Sequence, residues 1–303
     1  MQKNNVKNAS KAHLSEQWPF AVLLAPFLIL FFLFILLPIL SSVVLSFFNF
    51  DMVSLPKFTG FSNYVRMFLD DEIFITTLKN TLLLAVLTGP AGFLLSFVLA
   101  WFINEFTPAI RTILSFMFYC PALVGNAYFI WQVFFSNDRY GYANSILLSA
   151  NLITEPISWM KEPAYIVPII VLVQLWMSMG VSFLANISGL QNINDEMYEA
   201  GAIDGIRNRW QELWFITLPA MKHMLLFSAV MQIASSFSIG GICVALVGYP
   251  SVNYTADTLV SYLGDVGTVK YEMGYACAIS VFLFLLLVAT RGIIGKLLER
   301  VGK

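Results

Sequence analysis

Long apolar runs separated by short polar stretches set the pattern of this chain. The runs Phe20–Phe48, Thr81–Ile103, Ile113–Phe135, Ala164–Leu190, Met224–Val247 and Gly274–Ala289 contain no Asp, Glu, Lys or Arg. A hydrocarbon core about 30 Å thick is crossed by about 20 helical residues, so about six spanning helices are predicted. Alternation of period two is absent, which excludes an outer-membrane barrel. The fold class is an all-α polytopic membrane protein. Its expected divisions are an N-terminal tail at 1–19, a membrane domain at 20–295 and a C-terminal tail at 296–303. Within the membrane domain, 191–220 forms a polar connecting loop.

Composition agrees: 58% of the 303 residues are hydrophobic and 12% are charged. The first run is far longer than a signal-peptide core of roughly 7–15 residues, so it reads as a retained span. Lys and Arg mark the cytoplasmic side. Lys3, Lys7, Lys11, Arg111, Arg207, Arg209, Lys222, Arg291, Lys296, Arg300 and Lys303 fall on one side, and Lys57, Arg66, Lys79, Arg139, Lys161 and Lys270 on the other. The excess places both termini and the 191–220 loop in the cytoplasm. With Lys+Arg at 17 against Asp+Glu at 18, no nucleic-acid partner is expected. Cys120, Cys243 and Cys277 lie in apolar stretches without CxxC spacing and imply neither disulfide nor zinc. His13 and His223 read as interfacial. No cofactor, metal or catalytic constellation is expected.

Inside the spans the polar groups fall in stripes. Gln174, Ser178 and Ser182 recur every four residues, hence on one helical face. Gln232, Ser235 and Ser236 form a second stripe, and Asn126 stands beside a Pro121/Gly125 break. Such groups either bond between helices as packing contacts or line a path for a neutral solute. Amides and hydroxyls match sugar hydroxyls, and rings such as Trp176, Tyr128 and Phe237 cover apolar sugar faces. Outside the spans, 50–79 predicts a short interfacial helix and Asp70–Glu72 a solvated helix end. A minority reading has that acidic end contact an extracytoplasmic binding protein. The stretches 136–163 and 248–272 read as ordered loops.

The polar stretch 194–219 carries its own punctuation. Asn194 or Asp195 can cap a helix, with Glu196 and Glu199 favoured in its first turns. Ile193, Met197 and Ala200 share a face expected to turn towards the bundle. Gly205 can end the helix in a left-handed conformation. A second helix from about Asn208 has Trp210, Leu213 and Trp214 on its apolar face, and Pro219 suits the first turn of the next span. The result is a helix–Gly–helix elbow at the membrane surface, either a simple anchor or a lever.

Tyr198-Glu199-Ala200-Gly201, Ile203-Asp204-Gly205, Trp210-Gln211 and Ile216-Thr217-Leu218-Pro219 resemble the "EAA" signature of ABC-importer permeases. Gly201 stands where that family usually has its second Ala. The 18–50 stretch, FTGFSNYVRMFLDD and YEMGYACAIS resemble the MalF-like carbohydrate branch. The family's Thr-Gly-Gly-Pro loop is replaced by GYPSVNYTADTLVSYLGD. The resemblance implies a type I importer permease in a bacterial inner membrane. Its partners would be a second related permease, two copies of a cytoplasmic ATPase, a solute-binding protein and a carbohydrate, in membrane lipid. Glu199, Ala200, Gly201, Asp204, Gly205, Trp210, Ile216, Leu218 and Pro219 would then couple to the ATPase. Relatives draw ligand contacts from the spans holding Gln174, Gln232 and Ser235.

The chain offers no motor of its own. A P-loop needs GxxxxGK[ST], which is absent, and Gly292–Lys296 is too short to form one. No ionisable residue lies at mid-span to carry protons. A permease for an amino acid, a phosphonate or glycerol phosphate remains an alternative, as does a non-transport membrane assembly protein.

Overall fold

A computed structural model describes residues 22–298. The tail 1–19 with His13, and residues 299–303 of the C-terminal tail, lie outside the described residues. Among the described residues, four helices are long and apolar enough to cross a membrane: α1 (Val22–Leu45), α3 (Glu72–Asn104), the pair α11 (Lys222–Phe237) and α12 (Gly240–Val247), and α14 (Met273–Leu298, of which 273–296 make the span). A fifth crossing is the pair α7 (Pro163–Met177) and α8 (Val181–Gln191), bent by 43° at Ser178–Gly180. The predicted span Ile113–Phe135 is not one helix. It divides into α4 (Pro108–Val124) and α5 (Phe129–Phe134), because Gly125 takes φ +67° and stops α4. At 17 residues α4 is about 25 Å long, short of the hydrocarbon thickness.

The centre of the bundle is the mutual packing of α3, α8 and α11. α3 is 33 residues long and passes through Pro90 without ending. Its Gly89 and Gly92 lie against Ser236 and Gln232 of α11. Small residues at such crossings let backbones approach closely where lipid gives no hydrophobic drive for association. α1 touches α14 and is wholly unburied between 22 and 45 apart from a few half-covered positions.

The two ends of the bundle differ. One carries the 191–220 elbow and is called the elbow end here. The far end is braced by short elements: α2 (Ser62–Leu69), α6 (Tyr142–Ser149), α13 (Leu259–Gly264) and a two-residue hairpin pair, Phe48–Asn49 with Lys57–Phe58. Buried Asn144 is the main tie within 136–159. Its amide N–H groups donate to the carbonyls of Ser136, Asp138 and Ile157, and its oxygen accepts from the Ile157 N–H and Trp159 Nε1. At the predicted solvated helix end, Asp70 and Glu72 are exposed as expected, whereas Asp71 forms a junction. Asp71 caps α3 by accepting from the Phe74 N–H, and also accepts from the hydroxyls of Tyr262 at 2.5 Å and Tyr275 at 2.6 Å. Arg66 pairs with Glu272 at 2.7 Å and lies 4.3 Å from the Tyr275 ring centroid.

Candidate functional site

The elbow is built as its punctuation predicts. Asn194 accepts from the Glu196 N–H and starts α9 (Asp195–Ile203). Gly205 at φ +96° ends it. The Ile206 N–H donates to the Gly201 carbonyl at 2.9 Å and the Gly205 N–H to Ala202 at 3.3 Å, the paired bonds of a Schellman stop. Asn208 then accepts from the Gln211 N–H, while Gln211 Oε1 accepts from the Arg207 N–H. These contacts open α10 (Arg209–Glu212). The chain does not run on as one α-helix. Leu213–Thr217 is a π-helical turn, Leu218–Ala220 with Pro219 adds three helical residues, and Met221 (φ −85°, ψ 1°) breaks the path before α11. Irregular turns of this kind commonly sit at functional positions.

One face of the elbow is welded to the bundle. Ile193, Leu213 and Met221 belong to the same buried cluster as Phe97 and Ile103 of α3, Phe183, Ile187 and Leu190 of α8 and Leu225 of α11. Ile216 is buried against Gly201, where a Cβ would stand 2.6 Å from Ile216 Cδ1. The departure from the family's Ala at Gly201 thus permits closer packing of the elbow's two arms. Tyr198 and Thr217 hydroxyls, 3.1 Å apart, join those arms as well.

The face carrying Met197 and Ala200 points the other way from expectation. Tyr198 and Gly201 turn to the bundle, while Met197 and Ala200 are exposed and Ile203 is 87% exposed. The reason is steric: glycine at 201 leaves room for Ile216 of the second arm to pack against α9. Glu199 and Asp204 flank this apolar strip and are exposed, as is Pro219, and Leu218 is half-buried. Trp210 is 64% exposed and touches α3 through Trp101, ring centroids 5.4 Å apart; Trp214 is exposed. Of the predicted apolar face of the second arm, only Leu213 is buried.

The two polar stripes meet in one buried seam. Gln174 Nε2 donates to the Ser235 hydroxyl at 3.1 Å and its carbonyl at 3.3 Å. The Ser182 hydroxyl donates to Gln232 Oε1 at 3.2 Å, and the Ser228 hydroxyl to the Ser182 carbonyl at 3.3 Å. Ser178 and Ser236 are buried and bond to carbonyls of their own helices. Asn126 and Trp176 are not in the seam. Asn126 is exposed and accepts from the Tyr128 hydroxyl, and Trp176 is half-buried, edge-on to Trp131. Sequence reasoning missed Asn186, which extends the four-residue repeat from Ser182 and donates to the Ser96 hydroxyl. Two seam atoms, Gln232 Nε2 and Asn186 Oδ1, are buried without a hydrogen-bond partner among the described residues.

No family model matches the chain. The arabinooligosaccharides transport system permease protein AraP of Bacillus subtilis (strain 168) is 32% identical over 268 residues, 87% of this chain and 83% of that protein. The lactose transport system permease protein LacF of Rhizobium radiobacter is 31% identical over 208 residues, 68% of each. Among solved structures, a chain of a bacterial ABC transporter involved in import of the acidic polysaccharide alginate aligns with a TM-score of 0.77 at 22% identity, over 97% of this chain and 100% of that one; this likeness concerns fold. Long identity to such relatives, joined to spanning helices and the EAA-type elbow, places this chain in the family of sugar ABC transporter permeases.

Proposed function

We propose that this chain is the membrane-spanning subunit of a binding-protein-dependent, ATP-driven importer in a bacterial inner membrane. It forms half of the translocation path for a carbohydrate, an oligosaccharide. The other half comes from a second related permease, and two copies of a cytoplasmic ATPase dock on the elbows. The termini and the elbow end face the cytoplasm. The chain's part is to open and close a path, not to hydrolyse ATP.

The observation that carries this reading is the two-faced elbow. Its inner face is continuous with the core of α3, α8 and α11, so displacement of the elbow must reach those helices. Its outer face offers Met197, Ala200 and Ile203 uncovered beside Glu199 and Asp204, an apolar strip with an acidic border suited to a protein groove. A ligand that shifts the elbow shifts a population between inward- and outward-facing packings. The seam between α7–α8 and α11 lies directly along that line of force. Gln174, Ser178, Gln232, Ser235 and Ser236 are proposed to serve the sugar path there, with Asn126 and Trp176 at its exposed edge. Support for the substrate class comes from the names of the relatives, and support for the binding protein from a solved alginate transporter in complex with an alginate pentasaccharide-bound periplasmic protein.

The test is Ile203→Asp in the assembled transporter. A charge on the uncovered strip should release the ATPase on purification while the permease remains in the membrane with unchanged thermal stability. Retention of the ATPase at wild-type stoichiometry would remove the docking assignment.

A further inference from the structure

Between the elbow and the end of α3 lies a polar cleft of about 600 Å³, within the usual range of small-molecule sites. It is separate from the membrane seam and from the uncovered strip of α9. Its walls come from the bundle and from both arms of the elbow. Trp101, Asn104, Glu105 and Arg111 come from the end of α3, the turn after it and the start of α4, beside the end of α8; Asp195 begins the first elbow arm; Arg209 and Glu212 belong to the second. Arg209 bridges the parts, 2.6 Å from Glu105 and 2.8 Å from Glu212. Arg111 Nη2 donates to the carbonyls of Asn104 and Phe106, closing the end of α3.

Two of the lining residues have an unpaired atom behind the cleft wall: Asn104 Oδ1, an acceptor, and Arg111 Nε, a donor, are shut off from solvent without a hydrogen-bond partner among the described residues. Buried groups in this condition carry a desolvation cost that a ligand or water relieves. The cleft also presents carboxylates that accept, guanidinium groups that donate, and the Trp101 ring. That combination suits vicinal hydroxyl groups with an apolar C–H face. Three acids against two arginines make the lining net negative, which disfavours phosphate and uronate.

From this we infer that the cleft is a second binding site, for a neutral sugar, on the side opposite to substrate delivery. The inference rests on the proposed importer function and adds a regulation to it. A sugar held there would touch the bundle and both arms of the elbow at once. It would therefore stabilise one elbow position over the other, and imported sugar would slow further import.

The experiment uses the complete transporter in liposomes with its ATPase outward and its binding protein and sugar sealed inside. Lactose or an arabino-oligosaccharide, whichever drives ATP hydrolysis from the lumen, is then added outside. Hydrolysis should fall several-fold with dose. In Asn104→Leu the outside sugar should act about tenfold more weakly, since one buried acceptor is gone, while lumenal stimulation stays intact. Calorimetric titration of the same sugar into the complex without binding protein should give heat in the wild type and little in Asn104→Leu. Normal lumenal stimulation with no effect of outside sugar and no heat overturns the second site alone. Binding heat that is undiminished in Asn104→Leu places the sugar elsewhere and also overturns it. Absence of stimulation by either lumenal sugar overturns the importer reading and this inference together.

Discussion

Gly92 of α3 lies directly beneath the side-chain amide of Gln232 on α11: a methyl group at 92 would overlap Gln232 Nε2 and stand 3.1 Å from the Ser178 hydroxyl. Gln232 is 1% exposed and its carbonyl is held by Ser182, so the amide cannot swing aside without losing that bond. Gly92→Ala should therefore destabilise the assembled transporter by about 1–3 kcal/mol, the usual cost of overpacking, in spite of alanine's better helix propensity. Combined with Gln232→Ala, the added methyl has room. The double variant should be less destabilised than the sum of the two single ones, with a coupling of about 1–2 kcal/mol in thermal unfolding. Additive losses would show that Gly92 and Gln232 are energetically independent.

Gly205→Val addresses the lever. The residue at 205 holds φ +96°, which a β-branched side chain resists, and the Schellman bonds from 205 and 206 depend on it. The elbow's stop should loosen while Leu213, Ile216 and Met221 keep it attached to the bundle. Expected is normal membrane insertion with ATP hydrolysis that no longer responds several-fold to the loaded binding protein. A wild-type response would assign the elbow to anchoring.

What the sequence disclosed was whatever depends on local chemistry. Asn194, Gly205 and Asn208 act within a few residues of themselves, so the elbow's starts and stop were readable; Pro219, expected in the first turn of the next span, lies instead in the short segment Leu218–Ala220, cut off from α11 by the break at Met221. The four-residue repeat of Gln174, Ser178 and Ser182 revealed a common face by arithmetic. Direction was not readable. Met197 and Ala200 do share a face with Ile203, but only the approach of Ile216 to Gly201 decides which side of α9 meets the bundle. Asp71 could not be told from a solvated acid, because its partners Tyr262 and Tyr275 lie about two hundred residues later in the chain. The break at Gly125 was visible as a breaker, yet a continuous apolar run hid that it splits the segment in two.

Gln174→Leu separates the two meanings of the seam. Leucine keeps most of the volume and removes the bonds to Ser235. Interhelical hydrogen bonds in membranes contribute about 0.6 kcal/mol on average, so stability should fall only slightly. If the seam serves the sugar path, the sugar concentration for half-maximal uptake should rise several-fold with the amount of complex unchanged. A shift confined to thermal stability would assign Gln174 to packing.

Asp71 and Asp257, both at the far end, are predicted to respond oppositely to pH. Burial opposes ionisation of Asp71, but hydrogen bonds from Tyr262, Tyr275 and the Phe74 N–H, with Arg66 nearby, outweigh it and hold the carboxyl below its ordinary 3.8. Its ionised form is preferred in the folded state, so the stabilisation is complete above pH 3.8 and is lost as pH falls through the lowered folded value. Asp257 is 1% exposed; burial raises its carboxyl above 3.8, the Ser251 N–H only partly offsets this, and Asp265 adds repulsion. Its ionised form is disfavoured by folding, so its contribution improves as pH falls through the raised value. At neutral pH, Asp71→Asn should lower thermal stability by about 2 kcal/mol through loss of charge-assisted hydrogen bonds. Asp257→Asn, which keeps an acceptor for Ser251 and removes the buried charge, should leave stability unchanged or higher. As pH falls from neutrality through the raised value of Asp257, the wild type should gain relative to Asp257→Asn, while its margin over Asp71→Asn should hold down to about the ordinary carboxyl value of 3.8. Thermal unfolding of the three proteins across that pH range decides the point: a stability loss in Asp257→Asn at neutral pH equal to that of Asp71→Asn would mean that the Asp257 charge is compensated.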